Sequence, residues 1–509
     1  MHDFSNPADW YAPPSCGATL TCVADRDAAL AALDFGRVDS ESEPDLDRRF
    51  LRTDDFGRFL DPRNLLILGA KGSGKSALFE MFSDHLSAAR HLAGERLDRV
   101  LLTTGTGFGD MTELTTADIQ GMQGLDGFQY ESLWRLYIAL KSAIALGKQG
   151  YSSTGPLRDF LRVIGDARDY RIAPMVGSLW QTVVGNAPRE VEVSVMGTGA
   201  RIVSGKDSLD VIDLLEDVQR VLSTHGQHLW VLFDKIDELH PSDPDRRRET
   251  LQGLFPAVMA VTRAFPRIIP RIFIRTDIYG PDLHFTNKSH LADKAFEIEW
   301  DTDDLRTLLI KRAIVEPQVA ELVTEQVPAI TAGVETLDSR QRLLAFRVIF
   351  DERAYRGPRE AELLSWMIAR ATDAHGSTYP REMITFGNRA KENQATRGGP
   401  GDDGLISGRA VVDAYAEVSR IRCETFLSEF PELSQHIRRF RGQHDSPFTR
   451  RELDDLMRGL DPSGLPAIER LHEVGVLSPA GGRDVAVADR FEVPRLYKSG
   501  LGLQIIARP

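Results

Sequence analysis

The sequence predicts an α/β fold, followed by a helical region and a small C-terminal winged helix. Between residues 60 and 300, short apolar runs of strand length alternate with longer segments of helical spacing. Such alternation is typical of a parallel sheet covered by helices on both faces. The signals after residue 300 are helical, and residues 448–502 run helix, turn, helix and two short strands. We therefore expect a parallel-sheet domain, a helical lid and a winged-helix domain.

Five apolar runs are the predicted strands of the sheet. Each is too short for a buried helix and is bounded by turn or polar residues, which indicates a buried strand. A separate alternating segment, Glu190–Ser204, predicts a β-hairpin around its glycines. The predicted sheet strands are Leu65–Leu68, Val100–Thr104, His228–Phe233, Arg271–Ile274 and Phe296–Trp300.

Amphipathic segments between and after these runs are the predicted helices. In the sheet region they are Ser76–Ala89, Tyr130–Ala145, Leu209–Ser223 and Arg246–Ala264, and a short one at Asp25–Leu33 precedes them. In the helical region they are Asp303–Ile314, Arg340–Ile349, Glu360–Ala374, Arg381–Gln394 and Arg409–Phe430. The Gly-rich stretch near residue 400 predicts a linker. The expected segments are an N-terminal extension (1–60), an α/β core (61–300), a lid (301–395), the linker (396–408) and a long helix with the winged helix (409–509).

Composition places the chain among globular proteins. Its 509 residues include 62 Lys and Arg against 75 Asp and Glu, a formal net charge of −13, and 42% of residues are hydrophobic. This excludes a disordered or collagen-like chain, and it disfavours a protein that coats nucleic acid through bulk charge. With 3 cysteines, no long apolar span and no leader-like N-terminus, we expect a cytoplasmic protein that does not insert into a membrane.

The segment Gly69–Ser76 reads GAKGSGKS, a full match to the phosphate-loop pattern G-x-x-x-x-G-K-[ST]. It follows a predicted strand and opens a predicted helix, which is the context the pattern requires. Glycines let backbone N–H groups surround phosphate oxygens, Lys75 reaches the β- and γ-phosphates, and the Ser76 hydroxyl is a ligand for Mg²⁺. We expect ATP and Mg²⁺ as cofactors. The expected nucleotide-binding residues are Gly69, Ala70, Lys71, Gly72, Ser73, Gly74, Lys75, Ser76 and Ala77.

An acidic cluster follows the predicted strand His228–Phe233. A phosphate-loop ATPase needs a carboxylate at the end of a nearby parallel strand to hold Mg²⁺, and Asp234 stands at that position. Asp237 and Glu238 come next, and either could orient or deprotonate the attacking water. The sequence does not decide between these two as the catalytic base, and both residues also suit the first turn of a helix.

The pattern Asp-x-x-Asp-Glu after an apolar strand resembles the signal-transduction P-loop ATPases, the STAND group that includes NACHT domains, within the wider AAA+ superfamily. The motifs together resemble a bacterial P-loop ATPase of the STAND/AAA+ (ASCE) type. The origin-recognition type of AAA+ ATPase is similar but has Glu directly after the first Asp, where this chain has Lys235. The resemblance covers roughly residues 35–395. It implies Mg²⁺-dependent ATP hydrolysis on a parallel sheet with a helical lid.

The same resemblance implies two arginine sensors. Arg275, at the tip of a predicted strand, is the expected γ-phosphate sensor, with Thr276 as the alternative; a structural pairing of Arg275 with Asp277 or Glu299 stays open. Arg381, which follows a proline at a helix start, matches the sensor position of the lid. An ordinary surface arginine is the alternative for it.

The C-terminal module leaves the output of the ATPase open. Residues 430–509 contain 12 Lys and Arg and 11 Asp and Glu, so the module is close to neutral, with arginines gathered at its entrance. Residues 438–509 could therefore bind duplex DNA or a protein partner. We expect a nucleotide-driven switch in bacterial signalling or defence that forms a homo-oligomer or recruits an effector protein. The alternatives are a DNA-associated ATPase of origin-recognition or transposition-helper type, and a binding module without turnover.

Overall fold

The computed structural model describes most of the chain from residue 25 onward. The described residues are 25–106, 127–151, 153–164, 190–195, 198–203, 210–238, 244–280, 283–355, 360–482 and 484–504. Part of the predicted N-terminal extension, including Cys16 and Cys22, lies outside these ranges.

The β-strands of the described residues fall into four sheets. In chain order they are β1 (Leu66–Gly69), β2 (Val100–Gly105), β3 (Glu190–Val195), β4 (Thr198–Val203), β5 (His228–Phe233), β6 (Ile268–Arg275), β7 (Ala295–Glu297), β8 (Arg353–Tyr355), β9 (Ala361–Glu362), β10 (Phe448–Thr449), β11 (Ser478–Pro479) and β12 (Arg490–Glu492).

The α-helices of the described residues, numbered in chain order, are α1 (Arg26–Ala32), α2 (Leu46–Arg49), α3 (Asp54–Phe59), α4 (Lys75–Ser83), α5 (Leu86–Ala93), α6 (Gly127–Lys148), α7 (Pro156–Ile164), α8 (Val211–Thr224), α9 (Pro244–Ala264), α10 (Lys288–Ala292), α11 (Thr302–Ala313), α12 (Pro317–Gln326), α13 (Ser339–Ile349), α14 (Leu363–Ala371), α15 (Pro380–Arg397), α16 (Gly408–Glu429), α17 (Ser434–Arg439), α18 (Arg450–Leu456), α19 (Leu465–Glu473) and α20 (Arg495–Lys498).

The large sheet has five strands in the order β2-β5-β6-β1-β7, and every neighbouring pair is parallel. This confirms the predicted α/β class. The central strands are buried on both faces: β5 is buried at all but its first residue, and β6 at all but its last. The carboxyl ends of all five strands meet at one edge, where loops can bring side chains together.

The structure differs from the sequence-based expectation at two elements. The predicted helix Ser76–Ala89 is two helices, α4 and α5, because His85 between them has non-helical dihedral angles (φ −111°, ψ 34°). The predicted linker 396–408 is packed: α15 runs to Arg397, and Leu405 and Ile406 are buried in a hydrophobic core. Glycine content indicated flexibility there, but Gly404 lies so close to the Phe350 backbone that a Cβ atom would meet it at 2.3 Å.

The chain divides into two compact units. The core unit comprises residues 54–71 and the described part of 75–299. The lid unit comprises the described part of 1–53, residues 72–74 and the described part of 300–509. The chain therefore leaves the lid unit after Thr53, contributes Gly72–Gly74 to it, and returns to it at Trp300.

In the core unit, a buried arginine ties helix α3 to the sheet. Arg271 lies on β6 with no exposed surface, and its guanidinium stacks 3.6 Å from the ring centre of Trp230. It donates hydrogen bonds to the carbonyl oxygens of Phe59 and Asp61, at and beyond the end of α3. Burial lowers the pKa of Arg271 to about 9, so the side chain is still a cation at neutral pH.

In the lid unit, residues 25–53 are an integral part of the hydrophobic core. Leu30, Leu33 and Phe35 are buried in the same cluster as residues of α11, α13 and α15. Phe35 stacks on Phe350 with ring centres 5.6 Å apart. Buried ion pairs lock the segment, because Glu43 contacts both Arg49 (3.5 Å) and Arg312 (3.4 Å). The segment therefore contributes to the stability of the lid unit.

The C-terminal part of the lid unit is a winged helix. Helix α17 is followed by β10, α18, α19, β11 and β12, and the three strands form an antiparallel sheet in the order β10-β12-β11. The loop between β11 and β12 is the wing. A separate hydrophobic core, which includes Phe448, Ile468 and Phe491, holds the module together. This arrangement confirms the predicted order of elements.

None of the helices in the described ranges combines the length and apolar character needed to cross a membrane.

Candidate nucleotide-binding site

The predicted phosphate loop lies between β1 and α4. β1 ends at Gly69, and α4 begins at Lys75, so Ser76 and Ala77 lie in the first helical turn. Gly72 (φ 88°) and Gly74 (φ 97°) have left-handed backbone angles that other residues adopt at a cost. The loop therefore has the strand–turn–helix form in which backbone N–H groups and a helix N-terminus face an anion.

Lys75 lies inside this loop. Its side chain is buried, with 8% of the residue exposed, and its ammonium donates to the carbonyl oxygens of Gly69 (2.7 Å) and Ala70 (3.0 Å). The charge is therefore held beside the backbone that would surround a phosphate. Lys71, at the outer part of the loop, is half-buried.

Trp300 supports the tip of the loop, a role that the sequence pattern did not indicate. Its indole Nε1 donates to the carbonyl oxygen of Ser73 at 2.7 Å. A Cβ atom added to Gly74 would lie 3.7 Å from the Trp300 ring. The Ser73 hydroxyl is buried and has no hydrogen-bond partner among the described residues. A buried hydroxyl of this kind is typical of a group that serves a ligand or a water molecule.

Asp234 lies at the position expected from the sequence, directly after β5. The residue is 4% exposed, and its backbone N–H donates to Gly105 at the end of the neighbouring strand β2. The next residue, Lys235, has a left-handed φ of 56°. A lysine in this region is strained by about 1–2 kcal/mol, and such strain clusters at functional sites. The turn after Asp234 therefore has an uncommon, left-handed backbone conformation at the edge of the sheet where β5 ends.

The two candidate bases lie in a short 3₁₀ turn, Ile236–Glu238. Glu238 is exposed, and its backbone N–H closes the turn on Lys235. The side chain of Asp237 lies outside the described part of the structure. The choice between Asp237 and Glu238 therefore stays as open as the sequence leaves it.

Arg275 ends β6 beside the phosphate loop, because it pairs in register with Gly69 of β1. Its guanidinium makes a two-pronged ion pair with Asp277, with Nε 2.9 Å and Nη2 2.7 Å from the two carboxylate oxygens. This is the structural pairing that the sequence left open. The adjacent Thr276 hydroxyl donates to Glu297. The guanidinium is thus held at the strand edge by a neighbouring carboxylate.

Arg381 lies in the first turn of α15, within the lid unit. A Cβ atom added to Gly72 of the loop would lie 3.0 Å from the Arg381 Cβ and 3.4 Å from its Nε. Arg381 also donates through Nη1 to the buried Glu429, at 2.7 Å. This arginine is therefore neither isolated nor fully solvated, in contrast to the surface alternative.

The structure brings the predicted residues together in two groups. In the core unit, β6 lies between β1 and β5, so Arg275 ends between the base of the phosphate loop and Asp234 at one edge of the sheet. In the lid unit, Arg381 and Trp300 both lie against the loop tip Gly72–Gly74. Each group contains part of the segment Gly69–Ser76, and each is described within its own unit.

The donor set suits a magnesium ion. The Ser76 hydroxyl and the Asp234 carboxylate are oxygen donors, which Mg²⁺ prefers, and Mg²⁺ usually takes its remaining ligands from water and substrate phosphates. No group of three or more His, Cys, Asp or Glu side chains in the described ranges could hold a metal ion by itself. A cation at this site would therefore depend on phosphate oxygens.

Comparisons with known proteins give only distant likeness. No family model and no curated protein matches the chain. Among solved structures, the ORC1 protein of Aeropyrum pernix in complex with DNA is similar at a TM-score of 0.35 and 14% identity, covering 90% of this chain and 94% of that one. The ORC2 protein of Aeropyrum pernix, solved as ADPNP–ADP complexes, is similar at a TM-score of 0.34 and 12% identity, covering 87% of this chain and 89% of that one. Likeness at this level identifies neither a shared activity nor a shared partner.

Proposed function

We propose that this chain binds ATP with Mg²⁺ at the loop Gly69–Ser76, hydrolyses it slowly and uses the nucleotide state as a conformational switch. The observation that carries the proposal is the placement of a complete phosphate-loop sequence between a buried parallel strand and a helix, with the buried Asp234 at the same edge of the sheet. A glycine-rich turn without a ligand role does not require a buried lysine inside it.

The side chains support a division of roles. Lys75 would neutralise the β- and γ-phosphates, and Ser76 with Asp234 would hold Mg²⁺, which supplies charge neutralisation at the phosphates. Arg275 would contact the terminal phosphate, either by breaking its ion pair with Asp277 or by binding the phosphate while that ion pair stays in place. Asp237 or Glu238 would orient the attacking water. Arg381, which lies against Gly72, would contact a phosphate held at the loop tip.

Calorimetric titration with ATP and ADP, followed by phosphate release with Mg²⁺ and with EDTA, tests this proposal. We expect ATP to bind with Mg²⁺ and to be hydrolysed at a low rate. AMP is the matched control, because it lacks the β- and γ-phosphates that the loop would hold. Absence of ATP binding at millimolar concentration would refute the site, and binding without turnover would favour the binding-module alternative.

A second candidate function is association with duplex DNA. Arg438, Arg439 and Arg441 are exposed at the end of α17, and none of their side chains makes an ion pair with a described residue. Exposed arginines without acidic partners are suited to phosphate contacts. They lie at the entrance to the winged helix, a module that commonly binds DNA.

The helix α19, which occupies the usual recognition position, is less suited to that role. Arg470 on α19 is paired with Glu432 (3.4 Å) and Glu473 (3.1 Å). The end of α19 is also docked within the lid unit, where the His375 and His472 rings lie 4.9 Å apart. We therefore expect DNA contact, if it occurs, to use the arginines of α17 more than base readout by α19.

A salt titration of duplex binding tests this candidate. Replacing Arg438, Arg439 and Arg441 together by Ala should reduce the slope of log K against log salt by about 0.9 for each phosphate that is no longer neutralised. Arg420→Ala is the control, since that exposed arginine is occupied by Glu417 and Glu424. An unchanged slope in the triple variant would exclude α17 as the DNA surface.

The remaining roles stay predictions from the sequence. The comparisons give no support to a signalling or defence role. The other expected roles are homo-oligomer formation, recruitment of an effector protein and a cytoplasmic location. Mass measurement in solution with and without a non-hydrolysable ATP analogue addresses the first two.

A further inference from the structure

A buried carboxylate holds the lid arginine that lies against the phosphate loop. Glu429, at the end of α16, has a side chain only 2% exposed. Its Oε1 accepts a hydrogen bond from Arg381 Nη1 at 2.7 Å, and its Oε2 accepts one from Arg422 Nη1 at 3.1 Å. Glu429 is therefore shared between two arginines, and both of its oxygens have a cationic donor.

The orientation of Arg381 follows from this contact. Its Nη1 is directed to Glu429, whereas its Cβ, Nε and Cδ lie 3.0, 3.4 and 3.5 Å from a Cβ atom added to Gly72. The Nη1 group of the guanidinium thus contacts the buried carboxylate, and its Nε lies on the side of the loop. An arginine has five N–H donors in a rigid fork, so a bond at Nη1 leaves the Nε side able to donate to a phosphate.

Arg422 has further neighbours besides Glu429. Arg422, whose side chain is 11% exposed, also lies 3.7 Å from Glu382 of α15 and 5.7 Å from the ring centre of Tyr497 in α20. The set therefore contains two arginines and two glutamates. A buried pair that loses one partner leaves an uncompensated charge, which resists rearrangement.

We propose that Glu429 is a positioning residue for nucleotide discrimination: it orients Arg381 so that the guanidinium addresses the terminal phosphate of ATP at the loop tip. This inference rests on the proposed function and deepens it, since it assigns the carboxylate through which Arg381 acts. Glu429 itself contacts no nucleotide in this scheme. Supporting groups of this kind matter because a long flexible arginine loses less entropy on binding when it is already held.

The test measures the affinities of ATP and ADP separately. Glu429→Gln keeps the shape of the side chain but removes its charge, and we expect ATP binding to weaken about 3- to 10-fold, with ADP binding changed less than about 2-fold. ADP affinity should change less because ADP lacks the terminal phosphate that Arg381 would contact. In an Arg381→Ala background, Glu429→Gln should have no further effect on ATP binding, because the residue acts through that arginine.

Glu382→Gln is the matched control. Glu382 is a buried carboxylate beside the same Arg422, but neither of its oxygens accepts a hydrogen bond from Arg381 within the described structure. We expect this variant to keep the wild-type ratio of ATP to ADP affinity. If Glu429→Gln does not fold, Glu429→Asp retains the charge but shortens its reach, and a smaller loss of ATP affinity is expected from it.

Each outcome decides the matter. Equal weakening of ATP and ADP, tighter ATP binding, or an effect of Glu429→Gln that persists in the Arg381→Ala background would overturn the inference. An unchanged ATP-to-ADP ratio in a folded Glu429→Gln variant would overturn it as well. Failure of the wild-type chain to bind ATP would instead refute the proposed function, so the two failures are distinguishable.

Discussion

Replacing Trp300 by Phe tests whether the loop tip needs its external support. The change removes the hydrogen bond from the indole Nε1 to the Ser73 carbonyl oxygen, which is 2.7 Å long. A neutral hydrogen bond of this kind contributes about 0.5–1.5 kcal/mol. Phe also lacks the second ring of the indole, and losing the packing of that ring beside Gly74 costs roughly another 0.5 kcal/mol. We therefore expect a loss of about 1–2 kcal/mol in the ordering of the loop.

If that ordering contributes to nucleotide binding, the affinity should fall about 5- to 30-fold, since about 1.4 kcal/mol corresponds to a factor of ten. The loss should be the same for ATP and ADP, because the loop tip surrounds phosphates that both nucleotides carry. This pattern separates Trp300→Phe from Glu429→Gln, which is expected to affect ATP alone. Calorimetric titration of both nucleotides gives the two numbers directly.

Trp366→Phe is the control for loss of an indole. Trp366 is buried, and its Nε1 has no hydrogen-bond partner in the described ranges. Its replacement therefore lowers stability through packing without removing a hydrogen bond to the loop. Wild-type affinities for ATP and ADP in a folded Trp300→Phe variant would refute the reasoning, and an equal loss in Trp366→Phe would show a general effect of destabilisation.

Three further predictions follow from buried charges. Lys75→Ala should weaken Mg-ATP binding by about two orders of magnitude or more, because charged hydrogen bonds to phosphate are worth about 1.5–3 kcal/mol each; an unchanged affinity in a titration would displace the site. Asp234→Ala should reduce Mg²⁺-dependent phosphate release to about 1% or less with an unchanged circular dichroism spectrum, and wild-type turnover would place the metal carboxylate elsewhere. Burial raises the pKa of Glu382 above its ordinary value, so the native state holds that proton more tightly, and the stabilisation present below the unfolded pKa is lost as pH rises through the folded pKa. Glu382→Gln should therefore flatten the gain in unfolding free energy that urea titrations record as the pH falls toward the ordinary pKa of a glutamate, whereas parallel pH profiles would contradict the assignment.

Local patterns were sufficient to predict the sheet and the loop. The strand His228–Phe233 agrees with the observed β5 at both ends, because a continuous apolar run has few alternatives to a buried strand. The phosphate loop could be found because its glycines, lysine and serine are close together in the chain. Asp234 followed from the same logic, since a carboxylate directly after a buried strand must lie at the sheet edge.

Interactions between distant residues could not be predicted in this way. The hydrogen bond from Trp300 to Ser73 joins residues 227 positions apart, and a tryptophan after an apolar run is equally suited to a core. Glu429 and Arg381 are separated by 48 positions, and a glutamate near a helix end usually faces solvent. Burial of Glu429 became visible only with the packing of α15 against α16. The sequence offered only two signals for this part of the site: the tryptophan at position 300 and, later in the chain, an arginine that follows a proline, Arg381.

The discontinuous path of the lid unit has a consequence for synthesis on the ribosome. Residues 25–53 pack with α11, α13 and α15, all of which follow residue 300. At a synthesis rate of about 5–20 residues per second, the first of these partners, α11, begins to emerge roughly 12–50 seconds later. During that interval Leu30, Leu33 and Phe35 are without their native neighbours, while the strands of the core unit are being synthesised, the last of them ending at Glu297. Nascent chains in which residue 299 has left the ribosome but the helices after residue 300 have not are therefore expected to carry a folded core unit and an exposed apolar segment that ribosome-associated chaperones would engage.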